Sequence, residues 1–317
     1  MPRKPHLTLI LLAALTAFGP LAHAQDFTLA SEYAKQVKKY PDIRPYIPDV
    51  HGVAATLGVE YSQTADDRAL RLDIFRPSNH VGLLAPLVLI HGGGWATGSK
   101  SIDHPLASRL AEGGVCVFCV EYRLSGEAQY PAAVVDINAA LAWIGERADS
   151  LGVDLGRLTV AGTSAGGQLA ALIGATNGTV GKFVGPGVAV PRIVRVIDID
   201  GVLAFIHPDS SEGIDKPGKL SSATRWLGTP MAADSALWRE ASALSHIGEW
   251  SADRFLFINS GQKRFSAGQG EAVAALESFG KSVSERKFDG TPHTFWLFEP
   301  WAESVATLII SEIEGKL

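Results

Sequence analysis

Cysteine is almost missing from this chain: there are two in 317 residues, Cys116 and Cys119, and both lie in Gly-Val-Cys-Val-Phe-Cys-Val-Glu-Tyr. A C-x-x-C pair invites a redox or metal reading, but the surrounding Val and Phe mark a buried strand. Three residues apart on a strand, the two Cα atoms stand roughly 10 Å from each other, beyond the ~7 Å reach of a disulfide. The fold is therefore expected to rest on its core rather than on covalent staples. Basic surplus is missing too, with 28 Lys and Arg against 33 Asp and Glu. A nucleic-acid or anionic-membrane partner would need a basic stripe, so neither is expected. No period of 20 to 50 residues repeats, and no low-complexity tract appears. Long apolar runs are equally scarce. No segment reaches the ~20 residues that a membrane-spanning helix requires, so no stable membrane insertion is expected.

What is present begins with an export-like start. Arg3 and Lys4 precede the apolar run 7–18, and Ala22-His23-Ala24 follows as a small-x-small cleavage pattern. The pattern is that of a signal peptide over residues 1–24, giving a mature chain from Gln25 that is secreted or periplasmic.

A polar lead over 25–56 carries Pro41, Pro45 and Pro48. Residues 58–63 and 70–77 then alternate apolar and polar, as a half-exposed antiparallel pair does. From 86 onward the rhythm changes to buried strands alternating with helices. Strands are expected at 86–90, 115–120, 157–162, 193–199, 254–259 and 283–288. Helices are expected at 103–113, 131–149, 165–175, 271–279 and 301–314, the second opening on Pro131 as a first-turn residue. The alternation predicts an α/β chain with a mostly parallel, doubly wound sheet in one domain over 57–317. The stretch 201–244 breaks the rhythm and reads as a small cap-like insertion over the C-terminal edge of the sheet, where such folds bind ligands.

Three motifs carry chemistry. Gly162-Thr163-Ser164-Ala165-Gly166-Gly167 falls between a strand and a helix, where a sharp turn thrusts a serine outward and small neighbours let strand and helix approach. Ser164 is the candidate nucleophile. His91-Gly92-Gly93-Gly94-Trp95 follows directly on the strand 86–90. Backbone amides of Gly93 and Gly94, with that of Ala165 after the nucleophile, could hold an oxyanion, and glycine allows the close approach this needs. A phosphate-binding loop is a poorer match, since the Lys-Ser/Thr ending is missing. His293, in Asp289-Gly-Thr-Pro-His293-Thr-Phe-Trp, sits past the last strand and before the closing helix, where a general base belongs in the order nucleophile, acid, histidine. Trp95 beside the oxyanion loop and Trp296 beyond the histidine are candidate substrate contacts or core residues. Glu121 and Asp136 flank Arg123 and read as structural ion pairing. No His, Cys and Asp cluster has ligand spacing, so no metal or other cofactor is expected.

Together these segments resemble the α/β-hydrolase superfamily, in its hormone-sensitive-lipase-like and secreted carbohydrate-esterase branches (acetyl- or feruloyl-esterase-like). The resemblance rests on H-G-G-G-W, Glu121-Tyr122-Arg123-Leu124, Tyr130-Pro131 with Asp136, and G-T-S-A-G-G. Asp198-Ile-Asp200-Gly201, Arg225-Trp226-Leu227-Gly228 and Pro292-His293-Thr-Phe-Trp296 are similar to a secreted esterase subgroup. It implies a serine esterase acting through an acyl-enzyme on a small-molecule or polysaccharide ester. The chain departs from the pattern at one place. The triad acid of the superfamily sits about three residues past the glycine that ends the penultimate strand, and here that position holds Arg264. Glu271, opening the next helix, is the first candidate acid, with a first-turn helix-dipole partner as its alternative role. Asp198 and Asp200 form the second possibility and a dyad without an acid the third.

The expected function is carboxylic-ester hydrolysis, with Ser164 attacking, His293 as base, and Gly93, Gly94 and Ala165 as oxyanion donors. Short acyl groups on carbohydrate fit the polar insertion, whose isolated aromatics Phe205, Trp226 and Trp238 suit stacking on sugar faces. The rivals are a lipase-like esterase for lipophilic esters and a hydrolase-fold binding protein that has lost catalysis.

Overall fold

A computed structural model describes residues 27–317, so the expected signal peptide lies outside the described residues. Eight strands form one sheet in the order Val53–Gln63, Ala69–Pro77, Val115–Val120, Ala85–Ile90, Thr159–Thr163, Arg195–Ile199, Arg254–Asn259, Ser282–Lys287. The first two strands run antiparallel to their neighbours and the remaining six are mutually parallel. Every strand expected from the sequence is found within a few residues of its expected bounds.

The central strands are continuous apolar runs because helices cover both of their faces. Period-two alternation divides each run between two cores. Val88, Ile90, Val160, Val196, Phe255 and Phe257 join the core under the helices Ala132–Glu146, Ala165–Thr176 and Gln269–Ser278. Leu87, Leu89, Ala161, Ile197, Leu256 and Ile258 point the other way, toward His104–Glu112 and Ala302–Ile313. Cys116 and Cys119 are free and buried on Val115–Val120. Being three apart on a strand, they serve opposite cores.

All 12 residues of Ala165–Thr176 are buried. Such a helix must lie close on the sheet, and small residues permit it. A Cβ on Gly166 would overlap the carbonyl oxygen of Ile90. Asp136 takes Arg123 in a two-pronged ion pair, with Nη2 to Oδ1 at 2.6 Å and Nε to Oδ2 at 2.9 Å. This agrees with the structural role expected of Asp136. Glu121 instead faces Lys100 at 3.8 Å.

Two segments depart from expectation. The lead, expected only to be polar and proline-bearing, contains a helix, Leu29–Gln36, with a capping box between Thr28 and Ser31. Farther on, Arg44–Pro45 pairs with Phe298–Glu299, which fixes the lead beside the loop that follows His293. The aromatics of the insertion, in turn, do not face solvent. Phe205, Trp226 and Trp238 are 1%, 0% and 0% exposed and pack on one another and on Trp95 at centroid distances of 5.0 to 6.1 Å. The hydrophobic effect claims them as the insertion's own small core. Among the described residues no helix is long and apolar enough to cross a membrane.

Candidate active site

The strand Thr159–Thr163 ends in a tight turn that places Ser164 at φ 54°, ψ −119°. This left-handed backbone is costly for serine and persists only where surroundings enforce it. The Ser164 N–H donates to the Ile199 carbonyl at 2.7 Å, and Thr163 Oγ1 accepts from the Gly92 N–H at 3.1 Å. Elbow and glycine loop are thereby tied to each other. Trp95 and Asp200 are also non-glycine residues at positive φ, 58° and 54°, so three of the five such residues described stand at this place.

His293 arrives from the loop before Ala302–Ile313. Its Nε2 lies 2.7 Å from Ser164 Oγ and its Nδ1 lies 2.8 Å from Asp200 Oδ2. A carboxylate can only accept, so Nδ1 carries the proton and Nε2 is left to accept from the serine hydroxyl. Asp200 is itself held, its Oδ1 accepting the Ser260 N–H at 2.7 Å, and its side chain is fully buried.

Glu271 does not take the acid position expected of it. It bonds His207 Nε2 at 3.2 Å and its side chain is 59% exposed, while His293 Nδ1 is already occupied. The reason is geometric. Glu271 opens a helix that rises beside the sheet edge, whereas Asp200 stands at the tip of Arg195–Ile199, next to the strand that bears the serine. Asp198, two residues earlier and within the strand, lies against Gly167 rather than His293. Its Oδ1 accepts the Gly201 N–H at 2.7 Å, and burial pushes its carboxyl well above the usual carboxylate range. Asp200 reaches His293 because it stands just past the strand's end, where its φ of 54° takes it out of the strand's alternation.

Opposite the serine stands the glycine loop. Gly93 has φ 120°, and a Cβ there would overlap the carbonyl oxygen of Thr97, so the loop cannot form with a larger residue. Its shape is locked by Gly93 O, which accepts from Thr97 N at 3.1 Å and Thr97 Oγ1 at 2.9 Å. Beneath it His91 stacks on Tyr122 at 4.5 Å, and the Tyr122 hydroxyl donates to the His91 carbonyl at 2.9 Å. Burial holds the His91 imidazole down to about 4, so it stays neutral and serves the loop rather than the reaction. Gly93, Gly94, Ser164, Ala165 and His293 all border one cavity of about 390 Å³. Ala165 is the first helical residue, so its N–H has no intrahelical partner and is available to a developing oxyanion.

Neither tryptophan offers an open face to a substrate. Trp296 is 1% exposed and meets His293 edge-on at 5.4 Å. Trp95 borders the cavity but is 3% exposed, stacks on Trp226 and donates its indole N–H to Gln168 at 3.0 Å. Both are packing residues in this geometry. Beside the apolar Phe27, Val202 and Phe265, the cavity is bordered by polar side chains. Glu32, Lys35 and Gln36 come from the N-terminal helix, Glu212 and Ser222 from the insertion, and Gln262 and Arg264 from the loop after Arg254–Asn259. The helix contribution had one sequence signal, Thr28 followed by Ser31 and Glu32 in a first turn.

A family model described as BD-FAE matches residues 72–271. A carboxylesterase of Mycobacterium tuberculosis, NlhH, is 31% identical over 217 residues, which is 68% of this chain and 63% of that protein. The chain thus spans less than two thirds of that curated relative's length. Among solved structures, esterase B from Lactobacillus rhamnosus superposes with a TM-score of 0.69 at 21% identity, covering 90% of this chain and 92% of that one. A truncated carbohydrate esterase from gut microbiota superposes at 0.65 with 16% identity, covering 86% and 100%. At these identities the likeness is one of fold, and the fold is that of the α/β hydrolases.

Proposed function

The chain belongs to the BD-FAE family, and on that premise we propose that it is a serine hydrolase of carboxylic esters. The observation that carries the reading is the hydrogen-bonded line from Ser164 through His293 to Asp200, at 2.7 and 2.8 Å, on the wall of a single cavity. The likeness to a carboxylesterase supports the choice of ester as the bond broken.

In this mechanism Ser164 Oγ attacks the ester carbonyl as His293 Nε2 takes its proton. Asp200 holds the imidazole in the acceptor tautomer and offsets the charge of the imidazolium. The N–H groups of Gly93, Gly94 and Ala165 receive the oxyanion. His293 then protonates the departing alkoxide, leaving an acyl group on Ser164. A water molecule, deprotonated by the same imidazole, releases the acid and restores the serine. A fluorophosphonate that labels Ser164 in the wild-type chain, and fails to label the His293→Ala variant, is the direct test.

For the substrate, we propose a short acyl group on a carbohydrate. Support comes from the polar rim of Glu32, Lys35, Gln36, Glu212 and Gln262, which offers hydrogen-bond partners for hydroxyl groups. Modest cavity volume argues in the same direction, since a lipid chain needs a continuous apolar channel. Stacking on Phe205, Trp226 or Trp238 plays no part, because those rings are buried. Across a series of p-nitrophenyl esters, kcat/KM is expected to be highest for acetyl to butanoyl esters, with acetate released from acetylated xylan or pectin. A value climbing steadily beyond the octanoyl ester, with no acetate from either polymer, would assign the enzyme to lipophilic esters.

Export is proposed as well, on Arg3, Lys4, the apolar run 7–18 and Ala22-His23-Ala24. Mass spectrometry of the protein recovered outside the cytoplasm should find an N-terminus at Gln25, give or take a residue or two. Full-length protein found only in the cytoplasm would remove this proposal.

A further inference from the structure

Arg264 stands where the wider superfamily keeps its acid, and the structure gives it other work. The Phe265 ring lies flat on the His293 imidazole, with centroids 3.4 Å apart and planes 7° from parallel. The Arg264 guanidinium lies over the same phenyl ring, 4.4 Å from its centroid. With the imidazole occupying one face at contact distance, the guanidinium must cover the opposite face. Arg264 is tethered in turn by Glu212 of the insertion, which accepts from Nη2 at 2.7 Å and from Nε at 3.2 Å. Phe265 and Glu212 are buried, while half of the Arg264 side chain remains in solvent.

We propose that Phe265 is a positioning residue for His293 and a charge-sensing one, stabilising the imidazolium through its ring face under the control of the Arg264–Glu212 pair. The proposal rests on His293 being the general base. A phenyl face attracts a cation and is indifferent to a neutral imidazole. Its benefit therefore appears only as the proton moves from Ser164 to Nε2, which is where stabilisation accelerates a reaction. Face-to-face contact also fixes the plane of the imidazole, so that Nε2 and Nδ1 stay aimed at Ser164 and Asp200. A guanidinium on the far face competes for the same ring and repels the imidazolium. Glu212 offsets that charge, which explains why an arginine is tolerated at this place.

Few other charged groups of the described residues surround the imidazole. Asp200 faces Nδ1 from the tip of Arg195–Ile199, with Asp198 behind it. From the N-terminal helix, Glu32 accepts from Thr294 Oγ1 at 3.3 Å and is paired with Lys35 at 3.1 Å. Ser164 faces Nε2, and Trp296 closes the edge. None of these is altered by changes at Phe265, Arg264 or Glu212, so their contribution remains constant across the variants.

The test is the pH dependence of kcat/KM for p-nitrophenyl acetate in the full chain. Phe265→Leu is expected to lower kcat about tenfold with little change in KM. It should also move the midpoint of the acid limb down by roughly half a pH unit or more, because the imidazolium loses a stabilising face. Phe265→Tyr keeps the face and should restore both. The charge pair gives opposite signs. Glu212→Gln leaves the guanidinium unbalanced and lowers the midpoint, whereas Arg264→Gln raises it. A Phe265→Leu enzyme that is slower but keeps the wild-type midpoint overturns the proposal. So do Glu212→Gln and Arg264→Gln midpoints that stay put or move together, and this second comparison decides the matter should Phe265→Leu fail to fold. Failure of the underlying reading looks different, because His293→Ala would then retain turnover.

Discussion

Ser164→Ala and His293→Ala are each expected to reduce ester turnover by about five to six orders of magnitude while leaving the fold intact. The size follows from how the groups act. Neither a hydroxyl without a base nor a base without a nucleophile can form the acyl-enzyme, so either loss removes nearly the whole covalent route. What remains is binding plus the amides of Gly93, Gly94 and Ala165, worth a residual ~10³ to 10⁴ over water. The double variant should therefore be scarcely worse than either single one. Folding should survive because Ser164 and His293 contribute little to either core. The elbow is held by backbone bonds, Ser164 N to Ile199 O and Gln168 N to Ser164 O, and both persist in alanine. Steady-state hydrolysis of p-nitrophenyl acetate, with circular dichroism of the same samples, measures both halves. Wild-type turnover in Ser164→Ala would remove the proposed mechanism entirely.

Asp200→Asn should lower kcat by about 10⁴ with KM little changed, whereas Glu271→Gln should stay within a few-fold of wild type. In the asparagine variant the amide can donate to Nδ1, which then holds Nε2 protonated. That tautomer cannot accept the serine proton, and no carboxylate remains to offset an imidazolium. The buried site also keeps the amide fixed, since Ser260 N–H still needs an acceptor at 2.7 Å. Glu271 loses only an exposed contact to His207 at 3.2 Å, of the surface kind that contributes little to stability. If Glu271→Gln were crippled and Asp200→Asn active, the acid assignment would reverse and the loop carrying Asp200 would need another role.

The division between what is legible in the sequence and what is not follows the range of the forces involved. Periodicity of apolar residues is local, so it marked the strands and helices of the sheet. Val88 and Leu89, or Val160 and Ala161, alternate between cores because a strand turns each successive side chain to the other face. Glycine motifs are legible for the same reason. Only small residues allow Gly166 against the Ile90 carbonyl or Gly93 beside Thr97, so the steric need is written in the residue type. Ser164 and His293 could then be placed by their positions relative to those elements.

The identity of the acid had no such mark. Asp198, Asp200 and Glu271 are equally carboxylates in sequence, and proximity along the chain favoured the last. Strand order decided it, since Arg195–Ile199 neighbours the serine-bearing strand, and the turn at φ 54° just past its end brought Asp200, rather than Asp198, to the histidine. The same holds for the aromatics. Trp95, Trp226 and Trp238 could be surface platforms or core, and burial of a shared apolar area drew them together away from solvent. The N-terminal helix, the Glu212–Arg264 pair and the Phe265 stack join residues far apart in the chain. By itself the sequence determined the sheet, the elbow, the glycine loop and the two residues proposed to exchange a proton. Tertiary structure alone decided which carboxylate orients them and what surrounds them, because those contacts depend on the packing of distant segments that no local pattern encodes.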